Sequence, residues 1–467
     1  MKEYDVVVIG AGDVGLGIVF KAAARGGKVA LIEKGNVGGT CVNVGCVPSK
    51  TLLFPADRIM EIRESGKLGI QAEITGIDFS FIMRRMREAV QSSRKGIRGA
   101  IEDTDNLDFL NGEAHFTGDY TLEVSGRRIK GKKIFIASGA RPLIPPIRGL
   151  ENVPYLTNES VLELEKRPES LILIGGGYIA VEYAHFFSAL GTKVTVIERS
   201  NRLLASEEPE VSGLLKKEMG KRMEIHTDAE VVEVFARDGG CGARVREMAG
   251  GNEAVLSAEK VMVAAGRVSN ADLLKVANSG IATDEKNFIR VSPYLETNRK
   301  NIWAVGDAVG KGMFTHAGDK GAEIAWHNAT RREKKKMDFS IVPHAAFSYP
   351  QIASVGLTEE DAKKKYRVLV GTAKYSDTVK GTAMGEEEGF AKAIVEKRSK
   401  RILGFHIIGP EASVLIQEVV NAVANKRDIS SITDSMHIFP ALSDIITETN
   451  RSSRRRGLMN STLQFRY

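Results

Sequence analysis

The sequence feature that most constrains the fold is a strand–turn–helix–strand pattern near the amino terminus. An apolar run over residues 6–9 leads into a turn with Gly10, Gly12 and Gly15; a helical stretch and a second apolar run follow, ending at Glu33. Gly10 permits a tight turn, Gly12 lets a pyrophosphate approach the backbone, and Gly15 lets helix and strand pack closely. The helix N-terminus would face the phosphates, and Glu33 could accept hydrogen bonds from a ribose. The pattern predicts a dinucleotide-binding unit.

The same pattern occurs a second time further along the chain. Its turn carries Gly175, Gly177 and Ala180, and its acidic residue is Glu198. In both units the acid lies 23 positions after the first glycine. One glycine turn is weak evidence, but two with matching spacing indicate two dinucleotide sites. Glu198 favours NADH because it would repel a 2′-phosphate, whereas Ala180 and the neighbouring Arg199 leave NADPH as an alternative.

Composition limits the classes of protein to which the chain can belong. Hydrophobic residues make up 43% of its 467 residues and charged residues 27%, which is ordinary for a globular protein of several domains. No apolar run approaches the ~18 residues that would span a membrane, and residues 1–9 lack the features of a secretory signal. Three cysteines argue against a secreted disulfide framework. We therefore expect a cytoplasmic protein without a membrane span.

Basic residues cluster at positions 331–336 and 454–456, and the chain carries a net charge of +7. No aromatic residues alternate with them, and no nucleic-acid-binding motif accompanies them. Solvated surface segments explain both clusters better than an anion site does. We therefore expect no nucleic-acid partner.

Cys41 and Cys46 form a close pair just after the first unit, with four residues between them. This spacing differs from the two-residue spacing of zinc sites and thioredoxins, and neither a second cysteine pair nor a nearby histidine completes a zinc ligand set. We therefore expect no bound metal. A structural disulfide is an alternative, but the expected cytoplasmic location favours a redox-active pair.

The segment from Gly38 to Lys50 resembles the redox-active motif of the class I pyridine nucleotide–disulfide oxidoreductases. It contains Gly-Gly-Thr-Cys at residues 38–41 and Gly-Cys-Val-Pro-Ser-Lys at residues 45–50. This family includes dihydrolipoamide dehydrogenase, glutathione and mycothione reductases, and mercuric reductase. Nearly the whole chain shares the resemblance, through further segments at residues 136–142, 265–267, 303–307, 342–343 and 349–358.

The resemblance implies an α/β fold with two Rossmann-like dinucleotide-binding domains, one for FAD and one for NAD(P)H, and a C-terminal α+β dimerisation domain. On this basis we predict an FAD-binding domain at residues 1–145 and 270–338, an NAD(P)H-binding domain at residues 146–269 and a dimerisation domain at residues 340–467. Since the active site of this family is completed across the dimer, we expect a homodimer.

The resemblance also implies a path for electrons, from NADH or NADPH through FAD to a Cys41–Cys46 disulfide. Cys46 would lie nearest the flavin as a thiolate, and Cys41 would be the exposed thiol that attacks the substrate. Lys50, one helical turn after Cys46, would sit beside the flavin with Glu182 as its carboxylate partner. Tyr178 would be the aromatic gate over the nicotinamide pocket. An ordinary surface ion pair is the alternative for Lys50 and Glu182.

The residues predicted to bind FAD or NAD(P)H come from both glycine turns and from the segments that resemble the family. They are Gly10, Gly12, Gly15, Glu33, Thr40, Lys50, Ser138, Gly139, Gly175, Gly177, Tyr178, Ala180, Glu182, Glu198, Gly266, Arg267, Gly306, Asp307, Thr315 and His316. Among them, Asp307 would bond the ribityl chain of the flavin.

The carboxyl-terminal region departs from the family pattern. Disulfide-reducing members carry two histidines separated by one residue, then Pro and a later Glu, and the histidine before the Pro is their acid–base catalyst. Here His437 keeps the earlier histidine, Phe439 stands at the catalytic position and Asp444 replaces the Glu. Residues two apart in an extended segment face the same side but lie roughly 6–7 Å apart. His437 is therefore an imperfect catalytic candidate, for which a structural role is the favoured alternative, and Asp444 is the candidate that replaces the Glu.

This departure leaves the electron acceptor open. General acid–base catalysis contributes on the order of 10² to 10⁴ in rate, so disulfide reduction without the histidine would be slow. Mercuric reductases also place Phe before this Pro. They normally carry a further cysteine pair near the carboxyl terminus, whereas the one remaining cysteine in this sequence is Cys241.

We therefore expect an FAD-dependent NAD(P)H oxidoreductase that resembles dihydrolipoamide dehydrogenase and acts on a small-molecule disulfide. The alternative is a reductase of a metal ion, a quinone or dioxygen, which needs no histidine to deprotonate a thiol. A low-turnover flavin redox sensor is a third hypothesis, although the complete cysteine pair and both nucleotide units argue against it.

Overall fold

A computed structural model of the chain describes residues 1–237 and 239–462, except for the side chains of residues 454–462. The basic run at residues 454–456 thus lies outside the described side chains. Within the described residues, no helix is both long enough and apolar enough to cross a membrane.

The helices and strands fall into three stretches of the chain. The first stretch contains β1 (Lys2–Ile9), α1 (Asp13–Ala23), β2 (Val29–Glu33), α2 (Gly39–Val44), α3 (Cys46–Glu64), α4 (Phe79–Glu102), β3 (Leu107–Asn111), β4 (Ala114–Gly118), β5 (Thr121–Val124), β6 (Arg127–Ile136) and β7 (Ala140–Pro142). The second contains β8 (Ser170–Ile174), α5 (Tyr178–Ala189), β9 (Lys193–Ile197), α6 (Pro209–Gly220), β10 (Glu224–His226), β11 (Ala229–Arg237), β12 (Gly240–Glu247), β13 (Glu253–Ala258), β14 (Lys260–Val263), β15 (Arg267–Ser269), β16 (Ile302–Ala304) and α7 (Thr315–Thr330).

The third stretch contains β17 (His344–Ala346), β18 (Ile352–Gly356), α8 (Glu359–Lys363), β19 (Val368–Lys374), α9 (Val379–Ala383), β20 (Phe390–Glu396), β21 (Ile402–Ile408), α10 (Ala412–Ala424), α11 (Ser430–Thr433) and α12 (Asp444–Thr462). Short 3₁₀ helices lie at Ser65–Leu68, Leu150–Asn152, Ser160–Glu163, Val276–Ser279, Gly306–Val309, Phe339–Ile341 and Tyr375–Asp377.

The first sheet has the strand order β3-β2-β1-β6-β5-β4, with β16 also paired to β6. Its β3, β2, β1, β6 and β16 strands are parallel, and β5 and β4 extend it as antiparallel strands. Residues 6–9 and 29–32 are buried, as expected for parallel strands that are covered on both faces. Gly10 follows β1 at the carboxyl edge of this sheet, which is the edge where such sheets bind ligands.

The second sheet is parallel, with the order β10-β9-β8-β14, and lies between β6 and β16 in the chain. Gly175 follows β8 as the first glycine turn follows β1. A separate antiparallel sheet contains β11, β12 and β13. The chain leaves and re-enters the first sheet through β7 and β15, which pair antiparallel with Arg141 opposite Val268. One nucleotide-binding unit is thus inserted into the other.

The third sheet is antiparallel, with the order β17-β18-β21-β20-β19. Phe405 and Ile407 of β21 share a core with Val419 of α10 and Ile445 of α12. The predicted α/β fold, with two Rossmann-like units and a C-terminal α+β unit, is confirmed. The domain boundaries placed at residues 146, 270 and 340 stay predictions.

Helices α3 and α5 pack against each other and thereby join the two nucleotide-binding units. Leu53 and Ala56 of α3 share one apolar core with Val181 and Ala184 of α5. Because α3 follows the cysteine motif and α5 follows the second glycine turn, this contact brings the two predicted parts of the active site together.

Candidate active site

The first glycine turn approaches neighbouring backbone too closely for side chains. Gly10 has a φ of +106°, and a Cβ there would lie 2.3 Å from the carbonyl oxygen of Ala137. A Cβ on Gly15 would lie 1.9 Å from the carbonyl oxygen of Gly10. Gly12 is the N-cap of α1 and offers no side chain to the first helical N–H groups, which leaves them to an anion. The turn therefore fits the pyrophosphate of a dinucleotide such as FAD.

Glu33 and Ser138 lie beside this turn and line one pocket together with Asn270. The Glu33 carboxylate accepts hydrogen bonds from the backbone N–H groups of Ala11 and Gly35, both at 2.8 Å. The hydroxyl of Ser138 is buried without a hydrogen-bond partner among the described residues. A buried, unpartnered hydroxyl in such a pocket fits a polar group of a bound cofactor, so the donor set is compatible with FAD.

Arg267 connects the cysteine motif with the predicted flavin ligand Asp307. Its Nε lies 3.6 Å from Asp307 Oδ2, its Nη2 lies 3.5 Å from Thr40 Oγ1, and it donates to the carbonyl oxygen of Ala140. Burial raises the pKa of Asp307, and attraction to Arg267 opposes this effect. Positive φ angles are found at the neighbouring predicted positions Gly139, Gly266 and Gly306.

The second glycine turn repeats the geometry of the first. Gly175 has a φ of +116°, and a Cβ there would lie 2.4 Å from the carbonyl oxygen of Ala264. Gly177 is the N-cap of α5. Glu198 accepts a hydrogen bond from the backbone N–H of Gly176, as the acid of the first unit does at the equivalent position. The repeat seen in the sequence is therefore a repeat in space, and it supplies a second site for a dinucleotide.

Cys41 and Cys46 lie in consecutive helices, α2 and α3, and both are thiols in the structure. Cys46 is exposed and Cys41 is half-buried, which differs from the expectation that Cys41 is the exposed thiol. Cys46 Sγ lies 3.4 Å from Thr315 Oγ1. The hydrogen bond with Cys41 lowers the pKa of Cys46 to about 6 against the effect of burial, and Thr315 and Lys50 lower it further. The same hydrogen bond and burial raise the pKa of Cys41. Cys46 is therefore the thiolate of the pair at neutral pH.

Lys50 Nζ lies 2.8 Å from both carboxylate oxygens of Glu182. Glu182 is buried on α5 and also accepts a hydrogen bond from the backbone N–H of Phe347 at 3.1 Å. The ammonium group of Lys50 lies 4.4 Å from the centre of the Phe347 ring. This pair joins both nucleotide-binding units to the third sheet, which distinguishes it from an ordinary surface ion pair.

Tyr178, the first residue of α5, lies among aromatic rings from the other parts of the chain. Its ring is edge-on to Phe314, with centroids 5.5 Å apart, and to His344, with centroids 6.0 Å apart. Its hydroxyl donates to Glu207 Oε1 at 2.6 Å. His316 stacks on Phe314 with centroids 5.7 Å apart. The structure thus places two predicted cofactor residues, Tyr178 and His316, around one phenylalanine.

The sequence did not reveal an ion cluster centred on the buried Lys392. Its ammonium group lies 2.7–2.8 Å from the carboxylates of Glu208, Glu210 and Glu359. The three carboxylates are close enough together to hold a cation, and Lys392 supplies the positive charge. Glu208 and Lys392 are 184 residues apart, so no local pattern signals their contact.

The carboxyl-terminal candidates, His437 and Asp444, each have a defined partner in the structure. Asp444, expected in place of the family's Glu, accepts a hydrogen bond from the backbone N–H of Ala441 at 3.2 Å, at the start of α12. His437 instead pairs with Glu418 of α10, with 2.6 Å between Nε2 and Oε1, and this hydrogen bond raises the pKa of His437. Phe439 is 70% exposed. The backbone N–H of Asp444 also donates to the carbonyl oxygen of Ala441, so Asp444 closes the turn that leads into α12.

Two glycine turns, a dithiol and a lysine–carboxylate pair together define a flavin-dependent pyridine-nucleotide oxidoreductase. Residues 4–331 match the family model described as pyridine nucleotide-disulphide oxidoreductase, and residues 342–450 match the dimerisation domain of the same family. The chain belongs to this family, whose members use FAD and NAD(P)H, and the resemblance seen in its cysteine motif is confirmed.

The chain is similar over most of its length to two kinds of enzyme. It is 34% identical over 438 residues to a mercuric reductase of Lysinibacillus sphaericus, which covers 93% of this chain and 80% of that protein. It is 33% identical over 462 residues to a dihydrolipoyl dehydrogenase of Chlamydia trachomatis, which covers 96% of each protein.

Among solved structures, the chain is similar to the Cu(II) complex of the HOCl-induced flavoprotein disulfide reductase RclA from Escherichia coli. The TM-score is 0.86 with 28% sequence identity, and the match covers 97% of this chain and 99% of the other.

Proposed function

We propose that the chain uses NADH, FAD and the Cys41–Cys46 pair to reduce a thiophilic metal ion such as Hg(II) or Cu(II). The observation that carries the proposal is at the carboxyl end, where His437 is held by Glu418 and Phe439 stands at the exposed position two residues later. A disulfide substrate needs proton transfer beside the attacking thiol. A soft metal ion needs only sulfur ligands, which a cysteine pair supplies directly.

The relatives support this choice of acceptor. Mercuric reductases from Lysinibacillus sphaericus and Staphylococcus aureus each match 93% of the chain, and RclA is described in complex with Cu(II). The overall reaction balances without another reactant. NADH gives up a hydride and becomes NAD⁺, one Hg(II) gains the two electrons, and one proton is released. With Cu(II) as the acceptor, two ions gain one electron each.

The residues of this chain have separate tasks in the proposal. FAD, when bound, relays the electron pair from NADH to the cysteine pair. Gly12 and the start of α1 would hold its pyrophosphate, and Asp307 would bond its ribityl chain. Lys50 keeps a positive charge near Cys46 and so favours the thiolate. Cys41, the partner thiol, would contact the acceptor.

We infer that NADH is the preferred nicotinamide cofactor. Glu198 stands at the end of the second unit, where its carboxylate would repel a 2′-phosphate. Arg199, which could have attracted that phosphate, lies 3.9 Å from Glu230 instead. Ala180 is fully buried in α5 and does not change this preference for NADH over NADPH. A higher kcat/KM with NADPH than with NADH would contradict the inference.

We also infer a homodimer. Residues 342–450 match the dimerisation domain of the family, and Met436, Ile438 and Phe439 expose large apolar side chains on this part of the chain. Exposed apolar segments of this kind mark protein–protein contacts. Light scattering at assay concentration should give twice the mass of the chain, and a monomer would contradict the inference.

Thiol–disulfide exchange of the dihydrolipoyl dehydrogenase type is the second candidate. The Cys41–Cys46 pair is compatible with it, because a dithiol can exchange with a disulfide substrate. The similarity to dihydrolipoyl dehydrogenases over 96% of the chain points the same way.

Steady-state rates of the FAD-loaded protein separate these candidates. NADH oxidation would be followed with Hg(II), Cu(II), lipoamide, glutathione disulfide or a quinone as the acceptor. We expect the metal ions to react fastest, Cys41→Ser to abolish the reaction, and Cys241→Ala to retain it, since Cys241 is buried in β12. Lipoamide rates equal to the metal rates would favour the second candidate. Metal reduction that is unchanged in Cys41→Ser would contradict the thiol route.

A further inference from the structure

Glu207 is a fully buried carboxylate that holds the hydroxyl of Tyr178. Its Oε1 accepts a hydrogen bond from Tyr178 at 2.6 Å and lies 2.8 Å from His344 Nε2. Its Oε2 accepts a hydrogen bond from Ser354 Oγ at 2.5 Å. Both carboxylate oxygens are therefore occupied, and two of the three partners come from the third sheet, in β17 and β18.

The ring of Tyr178 lies between the two nucleotide-binding units. Tyr178 directly follows the second glycine turn, while Phe314, which packs edge-on against it at 5.5 Å, directly precedes α7. The first residue of α7 is Thr315, which contacts Cys46. A nicotinamide that reached from the second turn toward the cysteine pair would therefore meet the Tyr178 ring.

The acceptor of this hydrogen bond is charged at neutral pH. Burial acts to raise the pKa of Glu207, but the hydrogen bonds from His344, Ser354 and Tyr178 outweigh burial and hold the pKa at about 2. Burial likewise acts to lower the pKa of His344, and the contact with Glu207 outweighs it, so that the pKa is raised. The acceptor of the Tyr178 hydroxyl is thus a charged carboxylate.

Few other titratable groups face His344. Besides Glu207 and Tyr178, His406 of β21 faces it, and burial lowers the pKa of His406, which favours the neutral ring. His316 of α7 is separated from His344 by the Phe314 ring, which stacks on both histidines. Any pH response of the Tyr178 contact near neutrality therefore comes mainly from His344.

We propose that Glu207 and His344 form a latch that holds Tyr178 across the entrance for the nicotinamide. The latch rests on the proposed function, since it requires NAD(H) at the second glycine turn. Binding of the nicotinamide breaks the hydrogen bond between Tyr178 and a charged, buried carboxylate, so the latch lowers the affinity for NAD(H). Glu207 and His344 are positioning residues, and they give the third sheet control over access to the cofactor site.

Calorimetric titration of the FAD-loaded dimer with NAD⁺ tests the latch without using activity. Tyr178→Phe removes only the hydroxyl and should lower the Kd for NAD⁺ roughly ten-fold, because a hydrogen bond to a charged group no longer opposes opening. In the wild type, NAD⁺ affinity should fall as the pH rises through the pKa of His344, because a neutral His344 leaves the Glu207 carboxylate a stronger acceptor for the Tyr178 hydroxyl. His344→Gln carries no charge at this position and should bind NAD⁺ as the wild type does at high pH, without this pH dependence.

One control variant and three possible results test the proposed latch. His327→Ala, at the far end of α7, should keep both the wild-type affinity and its pH dependence. An unchanged Kd in Tyr178→Phe, or a wild-type pH dependence in His344→Gln, would overturn the latch while leaving the proposed function intact. A wild-type protein that binds neither NAD⁺ nor NADP⁺ would overturn both.

Discussion

Thr315 Oγ1 lies 3.4 Å from Cys46 Sγ, so the first residues of two helices meet at this sulfur. Helix α3 begins at Cys46 and α7 begins at Thr315, and a helix N-terminus carries partial positive charge. Lys50, held by Glu182, adds a full positive charge nearby. These contacts explain why the pair carries its thiolate at Cys46 and its thiol at Cys41.

Removal of the Thr315 hydroxyl should make Cys46 less acidic. In Thr315→Val we expect the pKa of Cys46 to rise from about 6 to roughly 7 or above, because a hydrogen bond to a charged group is lost. The measurement is the pH dependence of Cys46 alkylation in the NADH-reduced protein, followed by mass spectrometry. Thr315→Ser keeps a hydroxyl and should behave like the wild type. Identical alkylation profiles for the Val and Ser variants would show that the contact does not stabilise the thiolate.

The low pKa of Cys46 also predicts how activity responds to acid. Cys46 is charged above about pH 6 and neutral below it, so the rate of metal reduction should be level above this pH and fall below it. Each pH unit below the pKa should cost roughly ten-fold in thiolate, and hence in rate. Lys50→Met removes a positive charge near Cys46, so the rate of metal reduction should begin to fall at a higher pH than in the wild type. A rate that does not change with pH across this range would contradict a role for the Cys46 thiolate.

Phe439→His should improve the reduction of disulfides. A histidine at this position restores the acid–base group that the family places there, and we expect lipoamide reduction to rise by on the order of 10²-fold. The rate with Hg(II) should change little. Phe439→Tyr matches the size of the native ring but supplies no imidazole, and should leave lipoamide reduction slow. Equal lipoamide rates in both variants would show that the missing base does not limit disulfide reduction.

Lys392→Met should destabilise the fold. It leaves the Glu208 carboxylate buried without its counter-charge, which typically costs about 3–5 kcal/mol in the free energy of unfolding. Denaturant unfolding measures the loss, and adding Glu208→Gln should recover much of it. Lys364→Met, in an exposed ion pair of α8, should have little effect. Equal losses of unfolding free energy in Lys392→Met and Lys364→Met would contradict the importance of the Lys392 cluster.

The parts of the site that the sequence predicted depend on local geometry. Gly10 and Gly175 each follow a buried parallel strand, and each approaches backbone too closely for a side chain. A short pattern specifies such a turn, because strand, glycines and helix are consecutive in the chain. Cys41 and Cys46 were recognisable for the same reason, since one continuous segment carries both.

The parts that the sequence did not predict depend on packing between sheets. His344 reaches Glu207 only because the third sheet packs against the second unit, and neither residue lies in a motif. His437 likewise pairs with Glu418 because α10 lies beside the segment that precedes α12. Contacts of this kind follow from the tertiary arrangement and leave no periodic signal in the sequence.

In the proposed function, electrons from NADH pass through the cysteine pair. This path is tested most directly by thiol labelling before and after anaerobic reduction with NADH. The FAD-loaded, oxidised protein would be treated with an alkylating reagent, with or without prior NADH, and the modified cysteines identified by mass spectrometry. We predict that Cys41 and Cys46 become labelled only after NADH, while buried Cys241 is labelled in neither sample. Equal labelling of Cys41 and Cys46 with and without NADH would contradict the proposed path of electrons through this pair.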